Sequence, residues 1–234
     1  MEEHTNLKFT YTFYWGNGTQ RVFEINLDPE SFTLQHEPYN DLPNWTDLDF
    51  NQCPNCRLKK ERSQYCPVAA NIIGISEFFK DFKSFENISV KIKTPEREYS
   101  KKASLQQGAS SILGIIMVTS GCPILIQLKP MVRYHLPFAT IDETIYRAVS
   151  MYLVKQYLKN KKGEKPDWEL TGLLDMYNDI HKVNKAFYER LSFLKGFDAN
   201  ANALIILDNF ANYINFSLDK NKLTKITKLF NEDE

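Results

Sequence analysis

An α+β fold with a small N-terminal antiparallel β part, a cysteine-bearing loop and a C-terminal helical bundle is predicted by three features of the sequence. Residues 7–15 alternate aromatic with polar side chains, and a second alternating run follows a Gly-Asn-Gly turn. Residues 37–66 are polar, proline-punctuated and without period. From Ser104 onward the apolar spacing changes from two to the three-and-four pattern of helices.

The elements follow in order. Phe9, Tyr11, Phe13 and Trp15 share one face of a first strand, and residues 21–27 resume after Gly16-Asn17-Gly18 as its hairpin partner. A third short strand is expected at 31–35, after Asp28-Pro29. Pro67 suits the first position of a helix, where its missing N–H costs little, and that helix is expected to reach about Phe85. A second hairpin covers 88–94 and 97–102. Residues 105–119 form one helix with Gly121 just past its end. A shorter helix over 123–134 is interrupted at Pro130. Thr140-Ile141-Asp142-Glu143 is a capping box, in which hydroxyl and carboxylate each satisfy an exposed backbone donor. It opens a helix stopped near Gly163. Helices are further expected over 167–195, from Asp198, and over 219–230. The chain divides as a β-rich part, 1–103, and a helical bundle, 104–234, or runs as one continuous domain.

Composition narrows the class. With 43% hydrophobic and 13% aromatic residues in 234, a sizeable core is affordable and disorder over most of the chain is excluded. A formal net charge of zero argues against coating nucleic acid by bulk charge. The charge is uneven, −7 over 1–52 and +5 over 53–102, which reads as two solvated faces. The acidic, polar N-terminus lacks the basic and apolar regions of a secretory signal. The run 112–118 falls far short of the roughly 20 apolar residues that span a bilayer. A cytoplasmic protein without membrane association is expected, its cysteines reduced unless something holds them.

The chemistry concentrates in Cys53, Cys56, Cys66 and Cys122. Cys53-Pro54-Asn55-Cys56 places two sulfurs on one tight turn, where both can address one ion, and four thiolates complete a closed tetrahedral site. Proline follows Cys53, Cys66 and Cys122 directly and fixes the local backbone. Zinc is the favoured metal and an iron–sulfur cluster the alternative. A redox pair usually opens a helix after a strand, whereas Cys53 lies in a polar loop. His135, just before the capped helix, is a candidate substitute ligand or a base beside Cys122, or simply a helix-terminal histidine bonded to backbone. Arg57, Lys59, Lys60 and Arg62 could touch nucleic acid, although solvated charge explains them better. No P-loop, dinucleotide-binding glycine pattern, Gly-x-Ser-x-Gly or His-Glu-x-x-His motif is present.

Cys53-Pro-Asn-Cys56, Tyr65-Cys66-Pro67, Ser120-Gly-Cys122-Pro123 and the run from Pro130 through His135 to Ala139 resemble an uncharacterised bacterial family of similar length. The resemblance implies a bacterial origin and brings no activity over to this chain. The expectation is a zinc-stabilised protein that binds or scaffolds a protein partner. The alternative is an iron–sulfur or thiol redox protein, or an enzyme using Cys122 and His135.

Overall fold

The computed structural model describes residues 7–36, 41–194 and 198–219, with 226, 228 and 230. The expected helix over 219–230 and His4 fall outside these residues, wholly or nearly so. The first alternating run is β1 (Leu7–Trp15), whose five inward side chains are all buried. Such a pattern fits only a strand with one face on a core, because a one-residue slip would turn every aromatic to solvent. β2 (Gln20–Leu27) pairs antiparallel to it from Leu7↔Leu27 to Tyr14↔Gln20. β3 (Asn87–Lys93) and β4 (Glu98–Ser104) form the second hairpin, and the sheet order is β2-β1-β3-β4, antiparallel throughout. Lysines 101 and 102 on β4 protect that edge from pairing with another chain.

Two short helices, α1 (Pro67–Asn71) and α2 (Ile73–Phe79), and the long α3 (Leu105–Thr119) bury apolar residues in the same core as β1. Phe13 meets Phe78 and Phe79 at ring-centroid distances of 5.7 and 5.1 Å, and Trp15 stacks on Phe82 at 4.2 Å. Offset and edge-on aromatic contacts of this kind add to the area they bury. A capping box of Ser104 and Gln107 starts α3 at the end of β4. Its apolar residues surround the axis, because it touches both the sheet and the last helix. A 3₁₀ turn (Leu125–Leu128) leads to α4 (Lys129–Arg133), then α5 (Ile141–Lys161), α6 (Thr171–Ser192) and α7 (Asp198–Asp219). The Thr140–Glu143 capping box stands at the head of α5 as read from the sequence. α6 and α7 pack along one another, and α7 also lies against α3.

Four boundaries differ from expectation. Residues 31–35 make only an isolated bridge, Leu27↔Leu34: Asp28 Oδ1 accepts from the amides of Glu30 and Ser31, and Phe32 turns left-handed at φ +56°. The helix from Pro67 breaks at Ile72 and ends at Phe79. A tight turn, Phe82 N–H to Phe79 C=O, then brings Phe82 onto Trp15. α6 begins at Thr171 and not at Asp167, whose Oδ2 accepts from the Gly172 amide and the Tyr152 hydroxyl. Asp167 is thus a cap reaching forward from before the helix. Pro130 opens α4 and does not interrupt a longer helix.

The seam between α3 and the sheet yields a prediction. A Cβ on Gly108 would stand 2.7 Å from the buried Phe13 ring, whereas one on Gly114 would meet only Leu207, at 3.6 Å. Helix propensity favours alanine at either site by roughly 1 kcal/mol. At Gly108 the forced overlap costs roughly 1–3 kcal/mol and outweighs it. Gly108→Ala is expected to lower the thermal midpoint by a few degrees and Gly114→Ala to raise it by about 2–4 °C, both read by calorimetry.

Candidate functional site: a cysteine and arginine cluster

The segment from Asn44 to Cys66 is closed at its base and docked at its tip. Asp47 and Tyr65 form an antiparallel bridge, with the Leu48 amide donating to Gln64 C=O at 2.9 Å and the Cys66 amide to Thr46 C=O at 2.8 Å. The Asn55 amide donates to Asp179 of α6, through its backbone carbonyl and its Oδ1. Arg190, also on α6, is only 1% exposed. Its guanidinium donates to the carbonyls of Trp45, Asp47 and Leu48 at 2.7, 2.9 and 3.3 Å. Arg190 has no carboxylate within ion-pair distance among the described residues.

Cys53, Cys56 and Cys66 lie within electrostatic reach of this guanidinium. Cys53 and Cys56 sit on a turn closed by the Cys56 amide and Cys53 C=O at 3.0 Å. Cys66 is the residue before α1, and the amides of Ala69 and Val68 face its thiol without closing a bond of cap geometry. Cys122 follows Gly121, whose φ of +90° ends α3, and the Leu125 and Ile124 amides face its sulfur. All four are half-buried and unpaired. Burial pushes the Cys53 thiol up to about 12, and neighbouring Cys66, Cys56 and Cys122 push the same way. Burial likewise raises Cys66 and Cys122 against the pull of the facing amides. Cys66, Cys53 and Cys56 in turn favour the charged form of Arg190, against the burial that disfavours it. Cys53 therefore lies within electrostatic reach of the other three sulfurs, and Cys122 within reach of Cys66 and Cys56. Among the described residues, no three His, Cys, Asp or Glu side chains stand ready-arranged to hold a metal ion.

His135 is elsewhere. Its Nε2 lies 2.7 Å from the Tyr11 hydroxyl and 3.2 Å from Ser111 Oγ, and its ring meets Phe9 edge-on. Ser111 is eight residues before Thr119 on α3, about 12 Å along the axis at roughly 1.5 Å per residue. The structure thus brings the four cysteines into one neighbourhood and sets His135 beside the sheet. The Ser111–His135 pair has the spacing of a nucleophile and its base. Burial, with a smaller contribution from Arg147, depresses the imidazole to about 3, which makes it a poor base at neutral pH.

Two cations of the loop are engaged internally: Lys60 with Asp49, and Arg57 with Asp179 at 3.7 Å. His36 bonds Asn71, and His181 bonds Asp208 across α6 and α7. Arg190 was missed by motif reading. Its signal was present, since Ile180, Val183, Phe187 and Arg190 continue one apolar stripe at helical spacing, and a charge in such a stripe must find buried partners. No described helix is long and apolar enough to cross a membrane.

A family model described as a domain of unknown function, DUF6901, matches residues 9–231, nearly the whole chain and both the sheet and the cysteine cluster. No curated protein and no solved structure matches it.

The depressed His135 pKa has a consequence for stability. The unfolded imidazole, near 6.5, binds its proton first as pH falls, so stability present above that value is lost progressively down to about 3. At pH 5 the loss is about 2 kcal/mol. Denaturation of wild type and His135→Gln between pH 7 and 4 is expected to show the steeper decline in wild type. NMR titration of His135 near 6.5 would contradict the assignment.

Proposed function

We propose that this chain, which belongs to the DUF6901 family, is a zinc-stabilised protein of the cytoplasm in which Cys53, Cys56, Cys66 and Cys122 share one ion and whose work is binding a protein partner. The supporting observation is the buried Arg190 guanidinium, within electrostatic reach of three of these sulfurs and of Asp47 but in a direct ion pair with no carboxylate among the described residues. A buried cation without a counter-charge costs several kcal/mol. Four thiolates on one divalent zinc ion carry a net negative charge and supply that counter-charge at the place where the cation sits.

The donor set fits the ion. It is all sulfur and drawn from three separate segments, and backbone amides face Cys66 and Cys122, where they favour the charged sulfur. Neutral thiols have nothing to draw them into a tetrahedron. The ion would do so by replacing their protons, and the loop from Asn44 to Cys66 would then be fastened through Cys122 to the end of α3. The thiol-redox alternative is disfavoured by the raised Cys53, Cys66 and Cys122, since reactive cysteines need the opposite shift. Separation of His135 from Cys122 disfavours an enzyme using that pair. An iron–sulfur cluster would use the same donors and differs by colour.

Metal analysis after anaerobic purification is expected to find one equivalent of zinc in a colourless protein. Chelation, or Cys56→Ser, is expected to lower the thermal midpoint by about 10 °C, the equivalent of roughly 4 kcal/mol of lost binding. A brown protein containing iron would replace zinc with a cluster. Protein free of both metals, with a midpoint indifferent to Cys56→Ser, would refute the site.

A further inference from the structure

A cavity of about 340 Å³ lies between α3, β4, the α4–α5 connection, α6 and α7; none of the cysteines lines it, although Leu125 of its wall is next to Cys122. Its wall is largely apolar, formed by residues such as Ile115, Leu128, Leu207 and Phe210. The volume is at the lower end of the range of small-molecule sites, which are mostly apolar with a few placed polar groups.

The polar groups here share one bias. The lining contains Lys101 and Arg147 and no Asp or Glu. Arg147 donates to the carbonyls of Met131 and Tyr134 at 3.0 and 2.7 Å, and neither cation makes an ion pair among the described residues. Lys101 meets only the Phe138 ring face, at 5.4 Å. Glu143 is the nearest carboxylate in the sequence around Arg147, and it is engaged by the amide and hydroxyl of Thr140. Tyr177 and Asn184 are 4% and 3% exposed, line the cavity, and have no hydrogen-bond partner among the described residues. Buried hydroxyl and amide groups are ordinarily paired, and an unpaired one facing a cavity is open to a ligand's acceptor.

We infer that this cavity binds a small amphiphilic carboxylate, its apolar body between α3 and α7 and its carboxylate toward Arg147, Lys101 and the Tyr177 hydroxyl. The apolar wall supplies affinity without orientation. The cations, with no acid in the cavity wall and with Glu143 within their electrostatic reach but held by Thr140 outside it, select the sign of the head group, because charge-assisted bonds to a carboxylate exceed neutral ones. A neutral alcohol of the same chain retains the apolar term alone, and an ammonium head meets two like charges.

The test is isothermal titration calorimetry of the full-length, metal-loaded protein with decanoate, decanol and decyltrimethylammonium. Decanoate is expected to bind one-to-one, about tenfold or more tighter than decanol, with no saturation by the cation. Lys101→Gln and Tyr177→Phe are each expected to weaken decanoate several-fold and leave decanol unchanged. Arg147→Gln should weaken decanoate further, but it also releases two carbonyls, so the milder variants carry the argument. Gly114→Leu places a side chain beside Leu207, where a Cβ has room, and is expected to abolish binding of both chains while the protein stays folded. Equal affinity for decanoate and decanol, saturable binding of the cation, decanoate binding unaffected by Gly114→Leu, or no decanoate binding at about 1 mM would each overturn the inference. Zinc content is expected to be the same in all these variants, so failure here leaves the cysteine site standing.

Discussion

The burial of one guanidinium governs how the polar middle of this chain is ordered. Arg190 reaches out of α6 into the base of the segment from Asn44 to Cys66 and gathers three carbonyls that would otherwise face solvent or each other. Hydrogen bonds to a charged group contribute about 1.5–3 kcal/mol each. Three of them come to the several kcal/mol that burying the charge costs. The balance is near zero on carbonyls alone, so the sign of the local energy depends on what else faces the guanidinium. What else faces it is the rings of Phe50 and Phe187, at 5.7 and 5.8 Å, with Asp47 and the sulfurs of Cys66, Cys53 and Cys56 within electrostatic reach, and a thiol contributes little until it becomes a thiolate.

The same logic links the cluster to the rest of the fold. Cys122 stands where it does because α3 stops at Gly121, and α3 holds its axial position through the close seam of Gly108 on Phe13. Phe13 is in turn fixed by Phe78 and Phe79, which belong to the helix pair that Cys66 precedes. Tyr11, next on the same strand face, carries a polar link from sheet to helices through Ser111 and His135, and Arg21 of β2 makes another to the Phe78 carbonyl. The sheet is therefore the common reference for both candidate sites, and its β4 contributes Lys101 to the cavity.

Local pattern made much of this legible. β1 could be read because one of its faces is wholly buried, and α3 and α5 because capping residues mark their starts. The differences arose where a distant partner decides. Phe82 leaves the helical path to stack on Trp15, and Asp167 caps α6 from outside it. His135 was read with Cys122 on sequence proximity, but packing took it to Tyr11. Arg190 was a charge in an apolar stripe, and no motif names the carbonyls it binds. The polar loop has its most visible fastening in an arginine bonded to backbone, with Cys53, Cys56 and Cys66 within that arginine's electrostatic reach.

Hydrogen exchange on Arg190→Met, which keeps much of the side-chain volume and removes the charge, tests this account most directly. The amides of Leu48 and Cys66, which close the base of the loop, are expected to lose protection in the variant by about a hundredfold or more, while amides of β1 and β3 change little. Unchanged protection at Leu48 and Cys66 would contradict the claim that the buried guanidinium orders the loop.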